Sequence, residues 1–269
     1  MFGVVPKPLW SKKIEPDHKN RITMAMRCLL IESRNTGRIY LVDNGIGDKF
    51  SAKFQKIYGI DHQHSNLTDS LRHHGFAPQD VTDLIFTHLH FDHCGGTTYY
   101  DQDGATQHRF PNAAYHVTNR QLKNALQPNV REKASMLPEN ITPIAESDRL
   151  HTLRDDATHE YEPGLSNLIV DGHTVGQQLV KIEHEGTRMV FGADLLPTAA
   201  HIPMPWVMAF DMQPLATLSE KQYFFKRAVD EGWYFYMEHD PDNELITLKQ
   251  ENSGFALDRQ LSLEEFSGA

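Results

Sequence analysis

The chain has 269 residues, 39% of them hydrophobic, and 26 basic against 36 acidic side chains give it a net charge of −10. No apolar run approaches the ~18 residues of a membrane span, and no Lys/Arg cluster stands out, which argues against a membrane or nucleic-acid partner. Two cysteines, Cys28 and Cys94, make no disulfide framework, and the apolar start lacks the basic opening of a signal peptide. A cytoplasmic protein acting on a small molecule is therefore expected.

Residues 1–20 read as an irregular N-terminal extension. Ile22, Met24, Met26, Cys28 and Leu30 then alternate with polar or small residues, the period of a half-buried strand over 22–30. Asn35-Thr36-Gly37 is a turn, and residues 38–43 read as the returning strand. A short helix is expected over 49–58. A second should start at Asn66, an N-cap with Asp69 three residues on, and close at Gly75.

Residues 83–87 read as a short buried strand, and the run after it, His88-Leu89-His90-Phe91-Asp92-His93-Cys94, carries the chemistry. Three imidazoles and a carboxylate within six residues form a metal kit of the hard and borderline type. On one strand His88, His90 and Asp92 would share a face and His93 would oppose them, so a loop is expected to split the ligands between two ions. Gly95-Gly96 let the backbone turn tightly afterwards. A closed structural zinc site is the alternative, but such sites are usually cysteine-rich and Cys94 stands alone. His62, His64, His73 and His74 lack this context and read as surface or packing residues.

From 97 to 166 the chain is polar and less regular, with a strand over 113–117, a helix from Thr118 and a helical piece over 131–136. Pro128, Pro138 and Pro143 read as breakers. Strands follow over 168–170, 178–183 and 188–191, the last two joined by a Glu185-Gly186 turn. Thr217-Leu218-Ser219-Glu220 reads as a capping box before a helix that turns Phe224, Phe225, Ala228 and Val229 inward and closes at Gly232. A strand over 233–237 and one or two edge strands in the tail complete an α/β pattern.

The H-x-H-x-D-H run resembles the metal-binding motif of the metallo-β-lactamase superfamily. The resemblance implies three further ligands, matched by His173 in Asp171-Gly172-His173-Thr174, Asp194 after Phe191-Gly192-Ala193, and His239 in Glu238-His239-Asp240-Pro241. It implies the four-layered αβ/βα sandwich of that fold. With ligands running from His88 to His239, one domain over 1–269 is expected, and 97–166 would be an insertion shaping the pocket. By the same resemblance His88, His90 and His173 would bind one ion, Asp92, His93 and His239 a second, and Asp194 both. These would be two divalent metal ions, zinc first, with iron, manganese or cobalt also suited. A hydroxide shared by the ions would be the nucleophile, with Asp92 as its proton carrier. Asp43 would be either an outer group behind a ligand or the cap of a turn.

Gly3-Val4-Val5-Pro6-Lys7 with Trp10, and the run from Pro197 to Trp206, resemble the branch holding quorum-quenching lactonases and methyl parathion hydrolases. A hydrophobic lactone such as an acyl-homoserine lactone is the implied substrate. Organophosphate hydrolysis, glyoxalase-II-like thioester hydrolysis and a non-catalytic metal-binding role are the alternatives, and a homodimer is allowed. Two departures stand out. The family turn Gly-His-Thr-Pro-Gly-His reads Gly172-His173-Thr174-Val175-Gly176-Gln177, and Leu195, Leu196 and Pro197 stand where some lactonases carry a tyrosine. His201 is a candidate substitute donor or a packed histidine. Trp206, with Met208 and Phe210, either lines a pocket or fills the core.

Overall fold

The computed structural model of the chain describes residues 1–63, 65–252 and 254–267; His64 lies outside them. The chain falls into two compact units, one of residues 1–27 and 154–269, the other of residues 28–153. No helix of the described residues is long and apolar enough to cross a membrane.

The first unit opens with α1 (Lys7–Trp10). The second carries β1 (Leu29–Glu32), β2 (Ile39–Val42), α2 (Ala52–Tyr58), α3 (Leu67–His73), β3 (Asp83–Ile85), α4 (Phe91–Cys94), β4 (Thr98–Tyr100), β5 (Thr106–His108), β6 (Ala114–Thr118), α5 (Asn119–Leu126), α6 (Pro138–Ala145) and β7 (Leu150–Leu153). The chain then returns to the first unit with β8 (Glu160–Glu162), β9 (Leu165–Val170), β10 (Gln177–His184), β11 (Thr187–Phe191), α7 (Pro214–Glu231), β12 (Trp233–Tyr236), β13 (Leu245–Glu251), β14 (Gly254–Leu261) and α8 (Leu263–Ser267).

In the second unit β1-β2-β3-β6-β7 form a mixed sheet, antiparallel only at the β1–β2 hairpin. β3 is buried throughout, as its apolar run required, and Leu84, Phe86 and Leu89 join a core with Phe110, Tyr115 and Ile141. In the first unit β14-β13-β12-β11-β10-β9-β8 form a seven-stranded sheet, in which β11–β12 is the only parallel pair among the described residues. α7 packs on β12 and β13 and buries Phe224, Phe225 and Ala228; Val229 is only half-buried. These are two mixed sheets flanked by helices, an α/β fold.

Four local expectations need correction. The strand predicted over 22–30 forms only from Leu29. Residues before it run along a different segment, with Ala25 and Arg27 amides donating to the carbonyls of His239 and Glu238. The metal loop contains a turn of helix, α4, so Asp92 and His93 sit on helix and His88 and His90 precede it.

Residues 131–136 make turns, and the helix is α6, started by Pro138 in its first turn, where a missing N–H costs nothing. Pro143 inside α6 frees the Glu139 carbonyl, which accepts from Lys49 Nζ at 3.1 Å. Thr217 is not an N-cap, since α7 starts earlier at Pro214. Glu220 instead accepts from the amides of Asp171 (2.6 Å) and Gly172 (3.0 Å), bracing the turn before His173.

Candidate metal centre

The motif ligands of the second unit are set by the end of β3. Asp43, one residue past β2, has a left-handed backbone (φ 54°) and no exposed surface. Its Oδ1 accepts from the Thr87 amide (2.8 Å) and its Oδ2 from the Thr87 hydroxyl (2.6 Å). Oδ2 also lies 3.0 Å from His93 Nδ1. A carboxylate only accepts, so Nδ1 of His93 carries the proton and Nε2 is left with its lone pair. The Thr87 hydroxyl spends its one proton on Asp43. It therefore accepts from His88 Nδ1, 3.0 Å away, which frees Nε2 of His88 in the same way.

His90 is turned the other way. Its Nε2 lies 3.1 Å from Glu132 Oε1, so Nδ1 is the unprotonated nitrogen, and it sits 3.0 Å from His88 Nε2. Two nitrogen lone pairs facing each other at that distance repel, and a small cation relieves the repulsion. Zinc–nitrogen bonds of 2.0–2.1 Å in tetrahedral array put two donors about 3.3 Å apart, close to what is found. His93 Nε2 is 3.9 Å from Asp92 Oδ1. The histidines are buried, whereas the Asp92 side chain keeps a quarter of its surface exposed.

Close packing holds this loop. A Cβ on Gly95 would lie 2.2 Å from the Ile46 carbonyl oxygen, and one on Gly96 the same distance from that of Asn44. The two glycines are required by this contact with the β2 turn, as well as by the bend after the ligands.

In the first unit Asp194 follows β11 and a left-handed Ala193 (φ 40°). Its Oδ2 lies 3.0 Å from His173 Nε2 and its Oδ1 3.1 Å from His239 Nε2. The far nitrogens of both rings are occupied. His173 Nδ1 pairs with buried Asp211 at 3.0 Å, and His239 Nδ1 donates to the Ala25 carbonyl at 2.9 Å. Burial opposes charge on His173, but Asp194 and Asp211 outweigh it and raise its pKa to about 9. One carboxylate directed oxygen by oxygen at two imidazoles is a donor set that cations fit.

Arg27 clamps the turn carrying His239. Its guanidinium donates to the carbonyls of Met237 (3.2 Å), Asn243 (3.1 Å), Pro241 (3.2 Å) and Asp240. Asp240 in turn accepts from the Ala199 amide at 2.8 Å.

His201 is buried and stacked on Phe2 (ring centroids 4.7 Å apart), with Nδ1 2.8 Å from the Thr198 hydroxyl; burial and Lys221 push its pKa down to about 3. Trp206 is half-buried, edge-on to Phe2. Met208 is in the core and Phe210 is half exposed. The two stretches with branch resemblance meet here: a Cβ on Gly3 would lie 2.8 Å from the Val207 carbonyl oxygen. Buried Lys221 secures the loop by donating to the carbonyls of His201 (2.6 Å), Pro203 (3.0 Å), Met204 (3.4 Å) and Trp206 (3.0 Å). Glu132, Asp211, Arg27 and Lys221 were not singled out by the sequence, because nothing local marks them.

The family model described as the metallo-beta-lactamase superfamily matches residues 27–242. An N-acyl homoserine lactonase of Bacillus cereus is 27% identical over 180 residues, 64% of this chain and 63% of that protein. One from a Bacillus sp. is 28% identical over 123 residues, 46% of this chain and 41% of that protein. The chain thus spans less than two thirds of these relatives' length. A crystal structure of a probable metal-dependent hydrolase from Staphylococcus aureus superposes with a TM-score of 0.83 at 28% identity, covering 97% of this chain and 92% of that one. AidC, a dizinc quorum-quenching lactonase in complex with a product, superposes with a TM-score of 0.71 at 21% identity, over 89% of this chain and 81% of that one.

Proposed function

The chain belongs to the metallo-β-lactamase superfamily of metal-dependent hydrolases, and we propose that it is a binuclear lactonase acting on a hydrophobic lactone such as an acyl-homoserine lactone. In this reading His88, His90 and His173 would hold one divalent ion, Asp92, His93 and His239 the other, and Asp194 would serve both, zinc being the first choice of metal. The observation that carries it is the Asp194 carboxylate, whose two oxygens address Nε2 of two different histidines. Bound there, the ions would supply Lewis acidity and an activated water at neutral pH.

The chain's own groups do the rest. Asp43, Glu132, Asp211 and the Ala25 carbonyl each accept from the far ring nitrogen of His93, His90, His173 and His239, which orients the rings and aims the other nitrogen at the site. Asp92, the partly exposed ligand, takes the proton of the attacking water and gives it to the ring oxygen as the acyl carbon–oxygen bond breaks. The products are the open hydroxy acid and the regenerated carboxylate.

The lactone assignment draws on the names of the Bacillus relatives and on an aromatic group beside the motif. Phe91, between ligands His90 and Asp92, packs on Phe50 (5.4 Å) and Tyr58 (5.2 Å), and α2 leaves Phe54, Ile57 and Tyr58 about half exposed. An apolar surface of that kind suits an acyl chain. The test is a hydrolysis panel of a long-chain lactone, paraoxon, a thioester and a β-lactam on the metal-loaded protein. The lactone should give the highest kcat/KM. Dominance of the thioester or the phosphotriester would replace the substrate assignment, and no hydrolysis of any would favour a non-catalytic role.

A further inference from the structure

Glu132 has no counterpart in the motif, yet it is 1% exposed and its carboxylate is organised at both oxygens. Oε2 accepts from Asn124 Nδ2 (2.9 Å), at the end of α5, and from Asn129 Nδ2 (3.2 Å). Asn129 Oδ1 caps the turn by accepting from the Arg131 and Glu132 amides at 2.9 and 3.1 Å. Oε1 meets His90 Nε2 at 3.1 Å. The same turn also holds the backbone beside that ligand: the Phe91 amide donates to the Ser135 carbonyl at 3.0 Å, and the Ser135 amide to that of Glu132 at 2.8 Å.

We infer that Glu132 is a positioning residue that commits His90 to bind its ion through Nδ1; the inference rests on the binuclear reading above. Burying a carboxylate costs several kcal/mol unless it is paired and hydrogen-bonded. Here two amide donors meet one oxygen and an imidazole N–H meets the other. That bond holds the Nε2–H tautomer, turns the ring's lone pair at Nδ1 towards His88 Nε2, and raises the basicity of Nδ1. His88 and His93 use the opposite nitrogens, so a rotated His90 ring would offer a protonated nitrogen to the ion.

Glu132→Leu, Glu132→Gln and Asn124→Ala are compared with the unmodified protein by competitive chelator titration with Zn²⁺, by thermal unfolding of the metal-free forms, and by long-range 1H–15N spectra of the imidazoles. Glu132→Leu should weaken one of the two ions by about 10- to 100-fold, leave the other near its original affinity, and shift the His90 proton population away from Nε2. Glu132→Gln keeps a carbonyl oxygen for Nε2 but sets its NH₂ against the Asn124 and Asn129 amide groups, and should recover part of the affinity. Asn124→Ala should lower unfolding temperature without a selective change in either ion. Two ions bound by Glu132→Leu as tightly as by the unmodified protein would overturn the inference, as would equal affinity loss in Asn124→Ala and Glu132→Leu. An unmodified protein that binds no pair of ions would instead overturn the binuclear reading.

Discussion

Asp43→Asn changes two atoms' chemistry and almost no volume, and it should cost one metal ion. Three donors converge on the carboxylate: the Thr87 amide on Oδ1, and the Thr87 hydroxyl and His93 Nδ1 on Oδ2. An asparagine has one accepting oxygen. With its oxygen towards the Thr87 amide, its NH₂ faces His93 Nδ1, which must give up its proton and move it to Nε2, the nitrogen that should bind the ion. With the amide flipped, NH₂ meets the Thr87 N–H and a buried donor is left unpaired. Either arrangement loses a hydrogen bond to a charged acceptor, worth about 1.5–3 kcal/mol, which bounds the expected fall in unfolding free energy of the metal-free protein. The tautomer penalty falls on metal binding instead, an expected 10- to 100-fold weakening of the ion held by His93. Chelator competition measures the second quantity and urea unfolding the first. If Asp43→Asn binds two ions as tightly as the original, Asp43 only caps its turn.

Asp194→Ala should be the most damaging single ligand change, lowering the affinity of both ions where His88→Ala and His239→Ala each spare one; two tight ions in Asp194→Ala would refute the shared role. Asp92→Asn should lower turnover more than metal content, because an amide cannot carry the proton; strictly proportional losses would make Asp92 a ligand alone. Burial lowers Lys221 from the usual lysine range to about 7. The folded state therefore holds fewer protons than the unfolded one between pH 7 and about 10, and stability should rise with pH there by at most ~1.4 kcal/mol per unit. Lys221→Met should lack that component of the slope, as read by urea unfolding at several pH values; identical slopes would show that the four carbonyls keep the ammonium charged.

Much of this was legible because it is local. Three ligands and a fourth fall within six residues, the strand before them is a continuous apolar run, and Asn66 caps α3 through the Asp69 amide as its spacing foretold. What was not legible are the groups behind the ligands. Asp43, 50 residues from His93, was marked as an outer group only by the family resemblance, whereas Glu132, 42 from His90, and Asp211, 38 from His173, were not marked at all. Each is an ordinary polar residue until the fold gives it a partner. The misread elements share a cause. The alternation over 22–30 is real, but its first half bonds the His239 turn through Ala25 and Arg27. The apparent capping box at Thr217 dissolved because Glu220 serves the Asp171 and Gly172 amides. Tertiary partners decided both.

The central claim is that catalysis needs two ions in one chain. Metal-free protein is titrated with Zn²⁺ while lactone hydrolysis and bound metal are followed together, with elemental analysis at the endpoint. The account predicts that activity grows towards a plateau at two equivalents and that the plateau protein carries two ions per chain. Full activity at one equivalent, with no second ion taken up at excess metal, would contradict it.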